Sequence, residues 1–183
     1  MYPHSAFRLM LLAFAAGHAA LGGGDKDKPA DAPKEESVVP YDGKTRGALQ
    51  VNTVSEKTGE WFDVLQNGKR AFAGATPKLN TTIELAPGTY VVSVNRTERK
   101  VTIEVGKKTV LWTGELVVEG AKGSGDFYAP FQGKERKLAN VQPVVNIPTA
   151  LFAGKYTVKL FAGKTRDLGE VEVKAGKRTV LKQ

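Results

Sequence analysis

Leu85-Ala86-Pro87-Gly88-Thr89-Tyr90-Val91-Val92-Ser93-Val94 reads as the end of one strand, a tight turn and a strand leading out. Tyr90, Val92 and Val94 fall on one face of the outgoing strand, because side chains alternate across a β-strand. Pro87-Gly88 fits a type II turn, with proline at the second position and glycine supplying positive φ at the third. The stretch recurs 66 residues later as Leu151-Phe152-Ala153-Gly154-Lys155-Tyr156-Thr157-Val158-Lys159-Leu160. The turn and the tyrosine persist there while the proline is lost. Tyr90 and Tyr156 are therefore expected to fill the same core position in two copies of one unit.

Other blocks repeat in the same order. Gly47-Ala48-Leu49-Gln50-Val51 matches Gly114-Glu115-Leu116-Val117-Val118, and Glu60-Trp61-Phe62-Asp63-Val64 matches Asp126-Phe127-Tyr128-Ala129-Pro130. Val101 to Leu111 matches Val171 to Leu181 at an offset of 70. The four extra residues fall in a hairpin around Phe161 to Arg166, where a loop tip tolerates insertion. In Val101 to Val105, Val101, Ile103 and Val105 share a face and Thr102 and Glu104 look outward. Such alternation means an antiparallel sheet with one wet face. Asn67-Gly68 is a type I′ hairpin signal. No stretch after residue 44 carries a helical period.

The fold class expected is all-β: two tandem small antiparallel β-sandwich modules, immunoglobulin-like or transthyretin-like, over residues 44–113 and 114–183. A core of that size is marginal alone, so the modules should pack together. Thr109 to Glu119 should run as one segment serving both, with Trp112 as interface or core packing.

The first 19 residues have the order of a secretory signal peptide. A short segment ending in Arg8 precedes the apolar run Leu9 to Ala16, and Gly17 and Ala19 suit cleavage after Ala19. The run is too short for a comfortable membrane span. Residues 20–43 should be a disordered linker, since from residue 22 on large apolar residues are missing until Val38-Val39. The expected destination is outside the cytoplasm: periplasm, cell surface or medium, with no stable membrane span after cleavage.

Charge is uneven. Residues 22–43 hold three lysines and six acidic residues; residues 44–111 hold eleven basic and six acidic, and residues 112–183 twelve basic and seven acidic. Two basic modules thus follow an acidic tether. Basic residues at turns and edges chiefly discourage edge-to-edge association, and no nucleic-acid-binding pattern accompanies them. The chain has no cysteine, and both histidines, His4 and His18, lie in the signal segment. A mature chain without either residue excludes thiolate chemistry, Ser-His-Asp catalysis and ordinary zinc sites. No cofactor or metal is expected. Asp25, Asp27 and Asp31 lack the glycine and distal glutamate of a calcium loop.

The repeated pattern resembles the PEGA-type domain, a small β-sandwich of exported and surface proteins. It comprises Gly-x-Leu-x-Val, a strand into a Gly-Lys turn, Thr76-Pro77, Leu-x-Pro-Gly-Thr-Tyr and a final pair of strands around Val105-Gly106-Lys107-Lys108. The second copy lacks Thr-Pro and has Ala153-Gly154 in place of Pro-Gly, and the tetrapeptide naming the family is absent from both. Transthyretin-like sandwiches share the Pro-Gly-Thr-Tyr element. The resemblance implies an accessory or interaction module without catalytic residues.

Three functions follow as expectations. The first is a non-catalytic structural or interaction module of the bacterial envelope. The second is a carbohydrate- or peptidoglycan-binding module using the aromatic pairs Trp61-Phe62 and Phe127-Tyr128, with Lys69 and Arg70 nearby; one ring of each pair should be core and the other exposed or covered. The third is a glycoside hydrolase using Glu60 and Asp63, with Asp126 in the second copy. Glu60 and Asp63 are three apart and should point to opposite faces of an ideal strand.

Overall fold

The computed structural model describes residues 32–56, 60–72, 74–121, 125–132, 136–137 and 143–183. The expected signal segment and most of the expected linker lie outside them. The described residues belong to one compact unit and are all-β with no helix.

In chain order the first half contains β1 (Glu36–Pro40), β2 (Gly47–Asn52), β3 (Asp63–Gln66), β4 (Lys69–Arg70), β5 (Thr82–Leu85), β6 (Gly88–Val94) and β7 (Thr97–Ile103). The long β8 (Lys107–Glu119) follows, then β9 (Phe127–Gln132), β10 (Arg136–Lys137), β11 (Thr149–Phe152), β12 (Gly154–Ala162), β13 (Lys164–Val173) and β14 (Arg178–Lys182). One sheet is built on β8: β1 and β2 flank its first part, β11 and β14 its second, and β5 adds outside β2. The other sheets run β4-β3-β6-β7 and β10-β9-β12-β13. All pairings are antiparallel except β2 and β14 against β8.

The continuous segment expected around Thr109 to Glu119 is thus β8. Leu49, Phe62, Tyr90, Val92 and Ile103 pack in a first core, and Leu116, Tyr128, Tyr156, Val158 and Leu160 in a second. The cores are not independent, since Ala150 and Phe152 of β11 pack in the first. Side chains of the first half also close the outer edge of β11. Ala150 N–H donates to Glu60, Asn95 Nδ2 to Ala150 O, Phe152 N–H to Thr97 Oγ1, and Arg99 Nη2 to Ala153 O.

Tyr90 and Tyr156 occupy matching positions. Each is buried, and each hydroxyl donates to the carbonyl four residues earlier, Tyr90 to Ala86 at 2.8 Å and Tyr156 to Phe152 at 2.5 Å. Burial pushes the Tyr156 phenol up to about 12. Tyr90→Phe and Tyr156→Phe should each cost about 1 kcal/mol, the net value of one intramolecular hydrogen bond. Urea unfolding of the single and double variants would check this; equal stability of all three would remove the hydroxyls from the fold's support.

Several sequence expectations need correcting. Pro87-Gly88 is not a type II turn. Gly88 takes φ 154°, far from the roughly +80° such a turn needs. The reason is topological: β5 pairs with β2, whereas β6 pairs with β3 and β7, so the segment carries the chain from one sheet to another. Val105 is 46% exposed, because β7 ends at Ile103 and Val105 stands in the turn before β8. Residues 36–40, at the end of the expected linker, form β1, where the β-branched pair Val38-Val39 joins the edge of β8. By contrast Asn67-Gly68, at φ 52° and 75°, is the expected type I′ turn. The inserted residues lengthen β12 and β13 around a turn at Gly163.

Candidate functional site

The segment Glu60-Trp61-Phe62 precedes β3 and pairs with Pro77-Lys78-Leu79. Phe62 N–H donates to Pro77 O and Leu79 N–H to Glu60 O, both at 3.0 Å. Alternation then directs Phe62 and Val64 into the first core and leaves Trp61 and Asp63 outside. Trp61 is 56% exposed. It borders a cavity of about 470 Å³ whose walls include Glu60, Asp63, Thr76, Ser93, Asn95 and Arg96 from the first half and Pro143, Ile147, Pro148 and Thr149 from the second. Ile147 is also exposed, at 53%. The cavity thus offers an exposed tryptophan, an aliphatic and proline wall, and carboxylate, amide, hydroxyl and guanidinium groups.

Glu60 and Asp63 border this same cavity, against the expectation of opposite faces. The cavity's walls come from both halves of the chain, and the Glu60 carboxylate reaches the second-half side at Ala150. The two carboxylates are bound differently. Glu60 accepts the Ala150 N–H on both oxygens at 3.1 Å and Asn95 Nδ2 at 2.7 Å, which ties the halves together. Asp63 lies 3.6 Å from Arg70, with both side chains about half exposed. Arg70 also donates to Thr76 Oγ1 and stands over the Phe72 ring.

The other candidates separate. Phe62 and Tyr128 are 1% and 0% exposed, so neither can touch a ligand; both are core. Tyr128 Oη lies 2.8 Å from Leu116 O, 2.9 Å from Ile147 O and 3.0 Å from Thr149 Oγ1, and burial pushes its phenol well up. Phe127 is half-buried and stacked on Phe161 of the inserted hairpin, with ring centroids 5.0 Å apart. Lys69 and Arg70 are exposed on β4. Asp126, the counterpart of Glu60, accepts the Val145 N–H through its backbone carbonyl at 3.0 Å. Trp112 is half-buried, and its backbone N–H donates to Glu35 O.

Two features escaped the sequence reading. Pro77-Lys78-Leu79-Asn80 is repeated as Pro143-Val144-Val145-Asn146. Tyr128 N–H donates to Pro143 O as Phe62 N–H does to Pro77 O, and Asn80 and Asn146 take φ 64° and 70°. The spacing Pro-x-x-Asn was the available signal, hidden because only the first copy has Thr before the proline. The second feature is Glu115, 1% exposed within β8. Its Oε1 accepts Ser55 N–H at 2.7 Å and its Oε2 accepts Arg178 Nε and Nη2 at 2.9 and 2.8 Å. Burial alone would raise its pKa, but the Ser55 bonds and then Arg178 outweigh it and hold the carboxyl below its ordinary value.

No family model and no curated protein matches the chain. Among solved structures, the Bacillus anthracis TIE protein is 19% identical, with 76% of this chain and 33% of that one covered at a TM-score of 0.27. A leucine-rich repeat protein from Bacteroides thetaiotaomicron VPI-5482 is 12% identical, with 82% and 26% covered at a TM-score of 0.22. The chain therefore spans about a third and a quarter of these structures, and likeness at this level assigns neither fold family nor function.

Proposed function

We propose that this chain is an exported, non-catalytic binding protein of the bacterial envelope, built from two tandem small β-sandwiches that share β8, and that it holds a glycan end in the groove beside Trp61. The observation that carries the binding site is the contrast within the repeat: Trp61 is 56% exposed over a cavity, while its counterpart Phe127 is covered by Phe161. A large indole face left in water beside polar groups suits a sugar ring, which stacks its C–H face and bonds through its hydroxyls. The repeated glycines, tyrosines and Pro-x-x-Asn turns support two copies of one module, in keeping with the resemblance to PEGA-type and transthyretin-like domains. Export rests on the order of charged, apolar and small residues in the first 19 positions.

Glu60 and Asp63 supply polar lining rather than acid–base chemistry in this reading. Both Glu60 oxygens are engaged by the Ala150 amide, so Glu60 acts as a bracket between the halves.

The test is binding of soluble cell-wall glycan fragments, followed by tryptophan fluorescence and by retention on cell-wall material. Trp61→Ala should weaken binding by at least about tenfold, the scale of an aromatic contact worth somewhat over 1 kcal/mol. Unchanged retention in the variant would remove Trp61 from the site. Retention lost on Lys69→Ala but not on Trp61→Ala would replace the glycan platform with a charge-driven surface.

A further inference from the structure

The two ends of the β8 sheet carry nearly the same strand. Gly106-Lys107-Lys108-Thr109-Val110-Leu111 and Gly176-Lys177-Arg178-Thr179-Val180-Leu181 differ only by lysine against arginine. Both follow a tight turn whose glycine is left-handed, at φ 70° and 65°. The first runs parallel to β2, which begins with Gly47, and the second runs parallel to the part of β8 that follows Gly114. Their outer edges differ. On the first, β1 pairs antiparallel, with Glu36 opposite Leu111 and Pro40 opposite Lys107. On β14, among the described residues, no strand pairs with the outer edge.

The backbone shows that the seat is the same. Trp112 N–H donates to Glu35 O and Tyr41 N–H to Gly106 O, so the peptide groups of Lys108 and Val110 face β1. On β14, Lys177 O accepts Glu115 N–H and Gln183 N–H donates to Glu119 O. Odd-numbered residues there face β8, and Arg178, Val180 and Lys182 turn their N–H and C=O outward. These are the counterparts of Lys108, Val110 and Trp112. Exposure follows the difference: Thr109 and Leu111 are buried while Thr179 and Leu181 are half-buried, and Val110 is half-buried while Val180 is 41% exposed. The chain's own Pro33 lies against Gly176, two residues before β14, and Arg178, Val180 and Lys182 are exposed.

We infer that the outer edge of β14 is a docking seat for an extended segment of a partner protein, bound antiparallel as a further strand and carrying acidic residues toward its N-terminal end. β1 with its flanks, Glu35-Glu36-Ser37-Val38-Val39-Pro40, is the template for that ligand. In the β1 register, Glu35 would stand opposite Lys182, and the strand would lie along Arg178 and Lys177. Charge also decides against a second copy of β14 in this seat. Antiparallel pairing about Val180 would set Arg178 of each copy opposite Lys182 of the other, and like charges directly opposed destabilise a ladder. Exchange of β1 between copies gains nothing, since each seat filled empties another. Main-chain bonds along the edge supply affinity, and charge supplies selection.

The chain has no cysteine, which permits a direct test. Ser37 is opposite Val110 in the β1 seat, so a bound peptide would set its Ser37 position opposite Val180, about 5.5 Å between Cα atoms and within disulfide reach. The probe is a synthetic peptide of residues 34–40 carrying Ser37→Cys, offered to the protein carrying Val180→Cys. Capture should exceed that of a scrambled peptide of the same composition by at least about tenfold, the scale set by a few added ladder bonds, and should fall with salt. The protein carrying Val110→Cys, whose seat β1 fills, should capture no faster than the scrambled control. In a separate fluorescence-anisotropy titration with the unmodified peptide, Val180→Pro removes one outward N–H without touching the bonds to β8, and should weaken binding similarly. Capture equal to the scrambled control overturns the proposal. So does faster capture at Val110→Cys, which would mean that the peptide displaces β1. Disulfide dimers of Val180→Cys protein that outrun peptide capture would assign the edge to a second copy instead.

Discussion

Replacing Glu115 by alanine is expected to lower the unfolding free energy by about 3 kcal/mol, read as a lower urea midpoint with an unchanged slope. Glu115 is buried in β8 and bonded on both oxygens. It links three elements: Thr53 and Ser55 beyond β2, β8 itself, and Arg178 of β14. Alanine leaves the Ser55 N–H and the Arg178 guanidinium without their acceptor. The Arg178 side chain is 45% exposed and can turn to water, which keeps the loss nearer 3 than 5 kcal/mol on the scale of broken buried pairs. Glu115→Gln should cost somewhat less, about 2 kcal/mol, because it restores an acceptor for Ser55 but sets an amide donor against a guanidinium. If glutamine matched the wild type, the charge would contribute nothing and the site would be an ordinary hydrogen-bond bridge.

The same carboxylate gives the variant a pH signature. Its folded pKa lies below the unfolded value of about 4.3. A group depressed in this direction contributes stability that is fully present above the unfolded pKa and is lost as pH falls through the folded one. The gap between wild type and Glu115→Ala should therefore be constant from pH 5 to pH 7 and shrink below about pH 4. Urea midpoints across that range would measure it. A gap that stays constant down to pH 3 would mean that Glu115 acts by packing alone.

The all-β class was legible because period-two alternation survives in nearly every strand, and the repeat was legible because turn residues keep their spacing. Asn67-Gly68 declared its geometry through residue type alone. What escaped depends on partners distant in sequence. Pro87-Gly88 has turn composition, yet the strands on either side belong to different sheets, and only the pairing of β5 with β2 reveals it. β1 looked like linker because its flanks are charged and its apolar content is two valines; it forms because the edge of β8 offers unpaired peptide groups, an opportunity invisible in its own composition. Glu115 falls where the strand pattern calls for an outward residue, and there Thr53, Ser55 and the Arg178 side chain close on its carboxylate. The groove at Trp61 was half legible. The aromatic pair marked the place, but the wall from Ile147 to Thr149 comes from the second half of the chain, and the covering of Phe127 comes from a residue that the insertion added.

Gly114→Ala is expected to cost about 3 kcal/mol or more, at the upper end for forcing extra volume into a packed site, and Gly47→Ala about as much. Neither glycine is needed for a left-handed backbone. At Gly114 a Cβ would stand 2.3 Å from Lys174 O and 2.6 Å from Val173 Cγ1; at Gly47 it would stand 2.2 Å from Glu104 O and 2.6 Å from Ile103 Cγ2. In each half a turn later in the chain, after β7 or after β13, folds across the glycine and bonds the residue before it, Gly106 N–H to Arg46 O and Gly176 N–H to Thr113 O. The obstacle is backbone, which cannot rotate aside as a side chain would. Gly68 is the contrast. It is left-handed at φ 75° with open space around it, so Gly68→Ala should cost only about 1 kcal/mol of backbone preference. Because Gly114 sits in β8 opposite Leu151, and β11 contributes Ala150 and Phe152 to the first core, its loss should weaken both cores together. Fluorescence of Trp61 and Trp112 and far-ultraviolet circular dichroism should then report one coincident urea transition, shifted lower. Two separated transitions would mean that the cores unfold independently despite the shared strand, and a Gly114→Ala protein as stable as Gly68→Ala would show that the turn over β8 can move away.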